Sequence, residues 1–194
     1  MIRVRILCFG DSNTYGYDPR SYLGGRYATE NRWVDLLAQE TGWEVLNAGE
    51  NGRSIPRTDR EVQATLQLLT SSQPIDLFVV MLGSNDLLQG SPAPIVSARM
   101  KWFLERLPME NRHILLIAPP SMQSGDWVTE EELVLHSKNL IAEYRQLARQ
   151  NSYVFADTST WKIDITFDGV HFSETGHNTF AGNLHQLLKE TFPV

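Results

Sequence analysis

The sequence predicts an α/β protein in three layers, with a five-stranded parallel sheet wound on both faces by helices. Two observations carry this. Apolar, β-branched runs recur at residues 4–9, 44–47, 77–82, 114–118 and 153–156, each closing on Gly, Pro, Asn or Asp. Between and after them lie amphipathic segments of helix length, at 33–40, 59–69, 95–107, 130–150 and 174–190. Buried runs alternating with helices are the mark of crossover units that return each strand parallel to the last.

Taken in order, the first run stops at Gly10 and is followed at once by Asp11, Ser12 and Asn13, the composition of a chain turning sharply out of a sheet. Ser12 then stands at the sheet's rim, where ligands bind in open α/β sheets. Residues 18–31, rich in Gly, Arg and Tyr, form a loop long enough to suggest a functional role. The second run leads into Asn47-Ala48-Gly49-Glu50-Asn51-Gly52-Arg53-Ser54, whose glycines let backbone N–H groups approach a ligand. The third leads into Gly83-Ser84-Asn85-Asp86. Thr129 followed by Glu130, Glu131 and Glu132 puts three acids at the positive end of the fourth helix, and Ser173 before Glu174 reads as an N-cap for the last. Between the fifth strand and that helix comes Asp168-Gly169-Val170-His171.

Composition bounds the function. The 194 residues, 42% hydrophobic, suffice for one sizeable core, so the chain is read as a single domain over 1–194. A formal charge of −6 without a basic stripe argues against nucleic acid or an anionic membrane surface as partner. No apolar stretch approaches the roughly 20 residues that span a bilayer, and the first strand leaves no room for a secretory leader, so a cytoplasmic protein is expected. Cys8, the single cysteine, sits in an apolar run and reads as a core residue. No pair of histidines has metal-ligand spacing, so neither a metal nor a cofactor is expected.

A serine hydroxyl is a poor nucleophile at neutral pH; it needs an adjacent base, and the base needs a group that fixes its tautomer. Asp168 and His171 meet that need from one tight turn, the carboxylate facing Nδ1 while Nε2 faces Ser12. Attack on an acyl carbonyl creates an oxyanion, for which the Ser12 N–H, the Gly52 N–H and the Asn85 side-chain amide are the candidate donors, with Gly49 as the alternative glycine. Asp11 and Asp86 orient turns. His177 is read as a structural histidine and Trp33 and Tyr27 as aromatic packing, while Tyr15 and Tyr17 are candidates for a substrate pocket. Arg53 either binds a substrate carboxylate or holds its own loop through an acid.

Gly10-Asp11-Ser12-Asn13, Gly52, Gly83-Ser84-Asn85-Asp86 and Asp168-Gly169-Val170-His171 together resemble the four blocks of the GDSL/SGNH esterase superfamily, in order and over nearly the whole chain. Gly16-Tyr17-Asp18-Pro19, Gly25-Arg26-Tyr27, Arg32-Trp33, Met81-Leu82-Gly83 and Ala118-Pro119-Pro120 resemble its arylesterase-like branch. The resemblance implies a flavodoxin-like α/β/α sandwich with a shallow site and no metal, acting on small or aryl esters, and it leaves homo-oligomerisation open. It also favours Gly52 over Gly49, because Arg53-Ser54-Ile55 resembles the segment just past the oxyanion donor in relatives. Asn13 replaces the leucine of the family's name and should alter how the turn packs. Two rival readings use the same chain: a carbohydrate O-deacetylase or acyl thioesterase with the same residues, and a non-catalytic flavodoxin-like module cradling phosphate at Gly10–Ser12. The second lacks a G-x-G-x-x-G or Walker-type loop after the first strand.

Overall fold

The computed structural model describes residues 4–192 apart from 22 and 24. Its five strands, β1 (Arg5–Gly10), β2 (Glu44–Gly49), β3 (Leu77–Met81), β4 (Ile114–Ile117) and β5 (Val154–Ala156), are all parallel and pair in the order β2-β1-β3-β4-β5. The α-helices are α1 (Ser12–Tyr15), α2 (Trp33–Thr41), α3 (Asp59–Ser71), α4 (Ser84–Leu88), α5 (Ala93–Leu104), α6 (Glu131–Asn151) and α7 (Glu174–Thr191). The expected fold class is therefore the one observed.

Side chains of a strand alternate between faces, and β1 shows it: Leu7 and Phe9 enter one core, Ile6 and Cys8 the other. The first core is closed by α3, α5 and α6 through Val62, Val96, Phe103 and Tyr144. The second is closed by α2 and α7 through Trp33, Leu37, Phe180 and Leu184. This division comes from handedness. From β1 the chain steps one way to β2 and then back past β1 to β3, so right-handed crossovers put α2 and α3 on opposite faces. The reversal opens a crevice at the carboxyl ends of β1 and β3, the usual ligand position in such sheets.

Three helix starts repay comparison with the sequence. α5 begins two residues before the expected 95, because Pro92 is its N-cap and Pro94 lies in the first turn, where a missing N–H costs nothing. α6 begins at Glu131, with Glu130 as N-cap, so Thr129 falls outside it. α7 begins as expected, Ser173 Oγ accepting the Gly176 N–H at 3.0 Å. The short helices α1 and α4 were not foreseen; four or five residues are too few to show a period.

Residues 22 and 24 of the long 18–31 loop lie outside the described residues. The described part folds back on α1: Asp18 N–H donates to Gly25 O at 3.1 Å and Tyr27 N–H to Gly16 O at 2.8 Å. Among the described residues, no helix is long and apolar enough to cross a membrane.

Candidate active site

The turn after β1 is built by steric necessity. A Cβ on Gly10 would lie 2.0 Å from Thr14 Oγ1 and 2.9 Å from Met81 O, so only glycine lets α1 start so close to the sheet. Asp11 caps α1, its Oδ1 accepting the Asn13 N–H at 3.0 Å, and Gly16 ends the helix in the left-handed region at φ 89°. Ser12 is thereby the first residue of a helix at the rim, 8% exposed. Burial pushes the Asp11 carboxyl up to about 6, against the opposing pull of the Asn13 N–H, His171 and Arg53.

The 168–171 turn brings its two candidates onto this serine. His171 Nε2 lies 2.9 Å from Ser12 Oγ, across 159 residues of sequence. On the other side of the ring, Nδ1 lies 2.7 Å from Asp168 Oδ2. The second carboxylate oxygen accepts the backbone N–H groups of Val170 at 2.8 Å and His171 at 2.9 Å. Burial works against ionisation of Asp168, but these hydrogen bonds from the His171 ring and backbone and from Val170 outweigh it and hold the carboxyl down at about 2. Gly169 at φ 84° makes the turn this tight.

The two candidate glycines differ in what their N–H groups do. Gly49 N–H donates to Asn47 Oδ1 at 2.9 Å, and a Cβ there would lie 2.1 Å from Tyr15 N, so Gly49 is the floor against which α1 packs. Gly52, at φ 76°, has open space around its Cβ position, and among the described residues its N–H has no acceptor; nor has that of Ser12. Asn85 donates one amide hydrogen to Arg53 O at 3.0 Å, which fixes the amide plane, and among the described residues the second hydrogen has no acceptor. Asp86, fully buried behind it, accepts from Ile55 N–H at 3.0 Å and Arg99 Nη1 at 3.1 Å and so orients both loops.

Arg53 turns inward. Its guanidinium donates to Gly10 O, Ala48 O and Glu50 Oε2 and lies 4.2 Å from the Phe9 ring centroid, so of the two roles open to it, the observed contacts are those of a loop tie. Tyr15 lies under the Arg26 guanidinium, whereas the Tyr17 ring is 4.8 Å from that of His171. Trp127, which sequence reasoning did not single out, stands edge-on to His171 at 5.0 Å and is 53% exposed. The 125–128 turn that carries it docks on the backbone of the Asp168–His171 turn, Asp126 N–H donating to Phe167 O at 3.2 Å and Trp127 N–H to Asp168 O at 3.0 Å. Its one available signal was position: it lies in the loop after β4, at the same edge of the sheet as the other blocks. Trp33, Tyr27 and His177 are buried packing residues, as read from the sequence. Among the described residues, no three His, Cys, Asp or Glu side chains gather where they could hold a metal ion.

The model of the GDSL-like lipase/acylhydrolase family matches residues 8–179. Among solved structures, a carbohydrate acetylesterase family member from Sinorhizobium meliloti is 26% identical with a TM-score of 0.81, covering 98% of this chain and 100% of that one. The native aryl esterase of M. smegmatis is 24% identical with a TM-score of 0.83, covering 97% and 100%. No curated protein sequence matches the chain. A family match that spans all four blocks, on a sheet that gathers them at one edge, identifies this protein as an ester hydrolase belonging to the GDSL-like lipase/acylhydrolase family.

Proposed function

We propose that the protein is a serine esterase that hydrolyses small acyl or aryl esters through an acyl-enzyme, as a single catalytic domain. The observation that carries the reading is the unbroken relay from Asp168 Oδ2 to His171 Nδ1 at 2.7 Å and from His171 Nε2 to Ser12 Oγ at 2.9 Å.

Ser12 Oγ attacks the ester carbonyl as its proton passes to His171 Nε2, and Asp168 stabilises the imidazolium. The Ser12 and Gly52 N–H groups and the free hydrogen of the Asn85 amide hold the oxyanion; the Gly49 N–H is already spent on Asn47. Collapse expels the alcohol, which takes the proton from His171. Water then attacks the acyl-enzyme, giving His171 a proton that returns to Ser12 Oγ as the acid leaves.

Because His171 must reach the leaving oxygen, the leaving group lies on the imidazole's side of the carbonyl, beside Tyr17 and Trp127. Tyr17 and Trp127 are therefore the pocket residues in this reading, and Tyr15 and Arg53 hold structure. Two half-buried or exposed aromatic rings suit a flat leaving group, either an aryl alcohol or the face of a sugar ring. The half-exposed Trp127 indole favours carbohydrate O-deacetylation as a second reading with the same machinery. A reducing, cytoplasmic setting suits a chain whose one cysteine, Cys8, is buried and unpaired.

The test is covalent. A fluorophosphonate should label the protein once, and Ser12→Ala should lose both the label and p-nitrophenyl acetate turnover. Wild-type-like labelling of Ser12→Ala would remove Ser12 from the role. A panel of aryl acetates, acetylated sugars and acyl thioesters then separates the substrate classes by kcat/KM.

A further inference from the structure

We infer that Asn13 is a positioning residue whose side-chain amide ties the turn bearing the nucleophile to the backbone on both sides of His171; the inference rests on the Ser12–His171 reading above. Asn13 Nδ2 donates to Val170 O at 3.1 Å, and Asn13 Oδ1 accepts the Phe172 N–H at 2.9 Å. The amide thus brackets residue 171 as a neighbouring strand would, taking the carbonyl before it and the N–H after it.

The other end of the tie is equally fixed. Asn13 is 5% exposed; its own N–H donates to Asp11 Oδ1 at 3.0 Å, and its carbonyl accepts the Trp33 indole N–H at 2.9 Å. Asp168 aligns the imidazole within its own turn, but a contact inside one turn cannot set where that turn sits relative to Ser12. Asn13, one peptide bond from Ser12, can. A leucine here, as in the family's name, offers neither donor nor acceptor and would leave Val170 O and Phe172 N–H to find other partners. The chemistry depends on this placement because a misplacement of about 1 Å can cost roughly 100-fold in rate.

Asn13→Leu and Asn13→Ala are the variants to compare, the second leaving room for water to satisfy the two backbone groups. Both should lower kcat for p-nitrophenyl acetate and the rate of fluorophosphonate labelling together, by roughly 10–100-fold, with KM within about twofold. A folded variant that loses thermal stability yet keeps the wild-type kcat and labelling rate would reduce Asn13 to a structural residue and overturn the inference. In the wild-type protein, the Phe172 amide should be protected from hydrogen exchange, and exchange at the open-chain rate would overturn it without any variant. Failure of wild-type labelling, by contrast, would strike the Ser12 reading itself.

Discussion

Asp168 grips His171 twice, Oδ2 facing the ring Nδ1 at 2.7 Å while Oδ1 accepts the backbone N–H of the same residue at 2.9 Å. The double grip sets both how the imidazole is turned within its own loop and which nitrogen carries its proton. Asp168→Asn keeps an oxygen for one half of the grip only. With the amide NH2 turned toward Nδ1, the proton moves to Nε2 and points at Ser12, the wrong tautomer for a base. The variant should fold, retain KM within a few fold and lose about 10³–10⁴ in kcat, measured by steady-state kinetics on an aryl acetate. A loss below tenfold would show that the carboxylate does not orient the base.

Asn85 is held by Arg53 O with one hydrogen to spare. As the oxyanion donor proposed above, Asn85 acts on charge that develops only in the transition state, so Asn85→Ala should lower kcat about 10²–10³-fold with KM little changed. An effect confined to KM would place the amide on ground-state substrate instead.

Trp127 stands edge-on to His171 with half its surface open. Trp127→Ala should therefore lower kcat/KM for phenyl acetate or an acetylated pyranoside about tenfold or more while leaving ethyl acetate within about twofold, since only the first two carry a ring to pack on it. Equal losses for all three would mean the indole supports the 167–171 turn rather than the leaving group.

His177 is buried between Tyr27 and Phe172, with its Nδ1 3.4 Å from the Trp33 N–H and no partner for Nε2 among the described residues. Burial, then the charges of His171 and Arg32, depress its folded pKa from 6.5 to about 3. The unfolded chain therefore binds this proton first. The stability that the neutral ring contributes is intact above pH 6.5 and drains away as pH falls from there toward 3, a few kcal/mol in all. His177→Asn, which keeps an acceptor for Trp33 and does not titrate, should be less stable than wild type at pH 8 and close the gap as pH falls through 6 to 4, by urea unfolding. Parallel pH curves would contradict this.

The parts of the site that could be read in the sequence are those carried by buried runs and their endings. A strand such as Leu77–Met81 is apolar throughout because both faces are covered, and the glycine two residues beyond it marks the rim. Arg53 was readable only as a choice, since whether a guanidinium meets Glu50 or a ligand depends on how tightly the 50–53 turn closes. Trp127 was not readable: its place is set by the 125–128 turn docking on Phe167 and Asp168, a contact some forty residues away in sequence with no period to announce it. For Asn13 the sequence marked a departure from the family pattern, but the partners that explain it, Val170 O and Phe172 N–H, are backbone groups and leave no trace in residue identity.

In the proposed mechanism Ser12 Oγ becomes acylated in every turnover. Rapid quenching of the protein with p-nitrophenyl acetate at low pH, then intact-mass and peptide analysis, should find one added acetyl group on the Gly10–Ser12 peptide, and none in Ser12→Ala. An acetyl group on another residue, or turnover undiminished in Ser12→Ala, would contradict it.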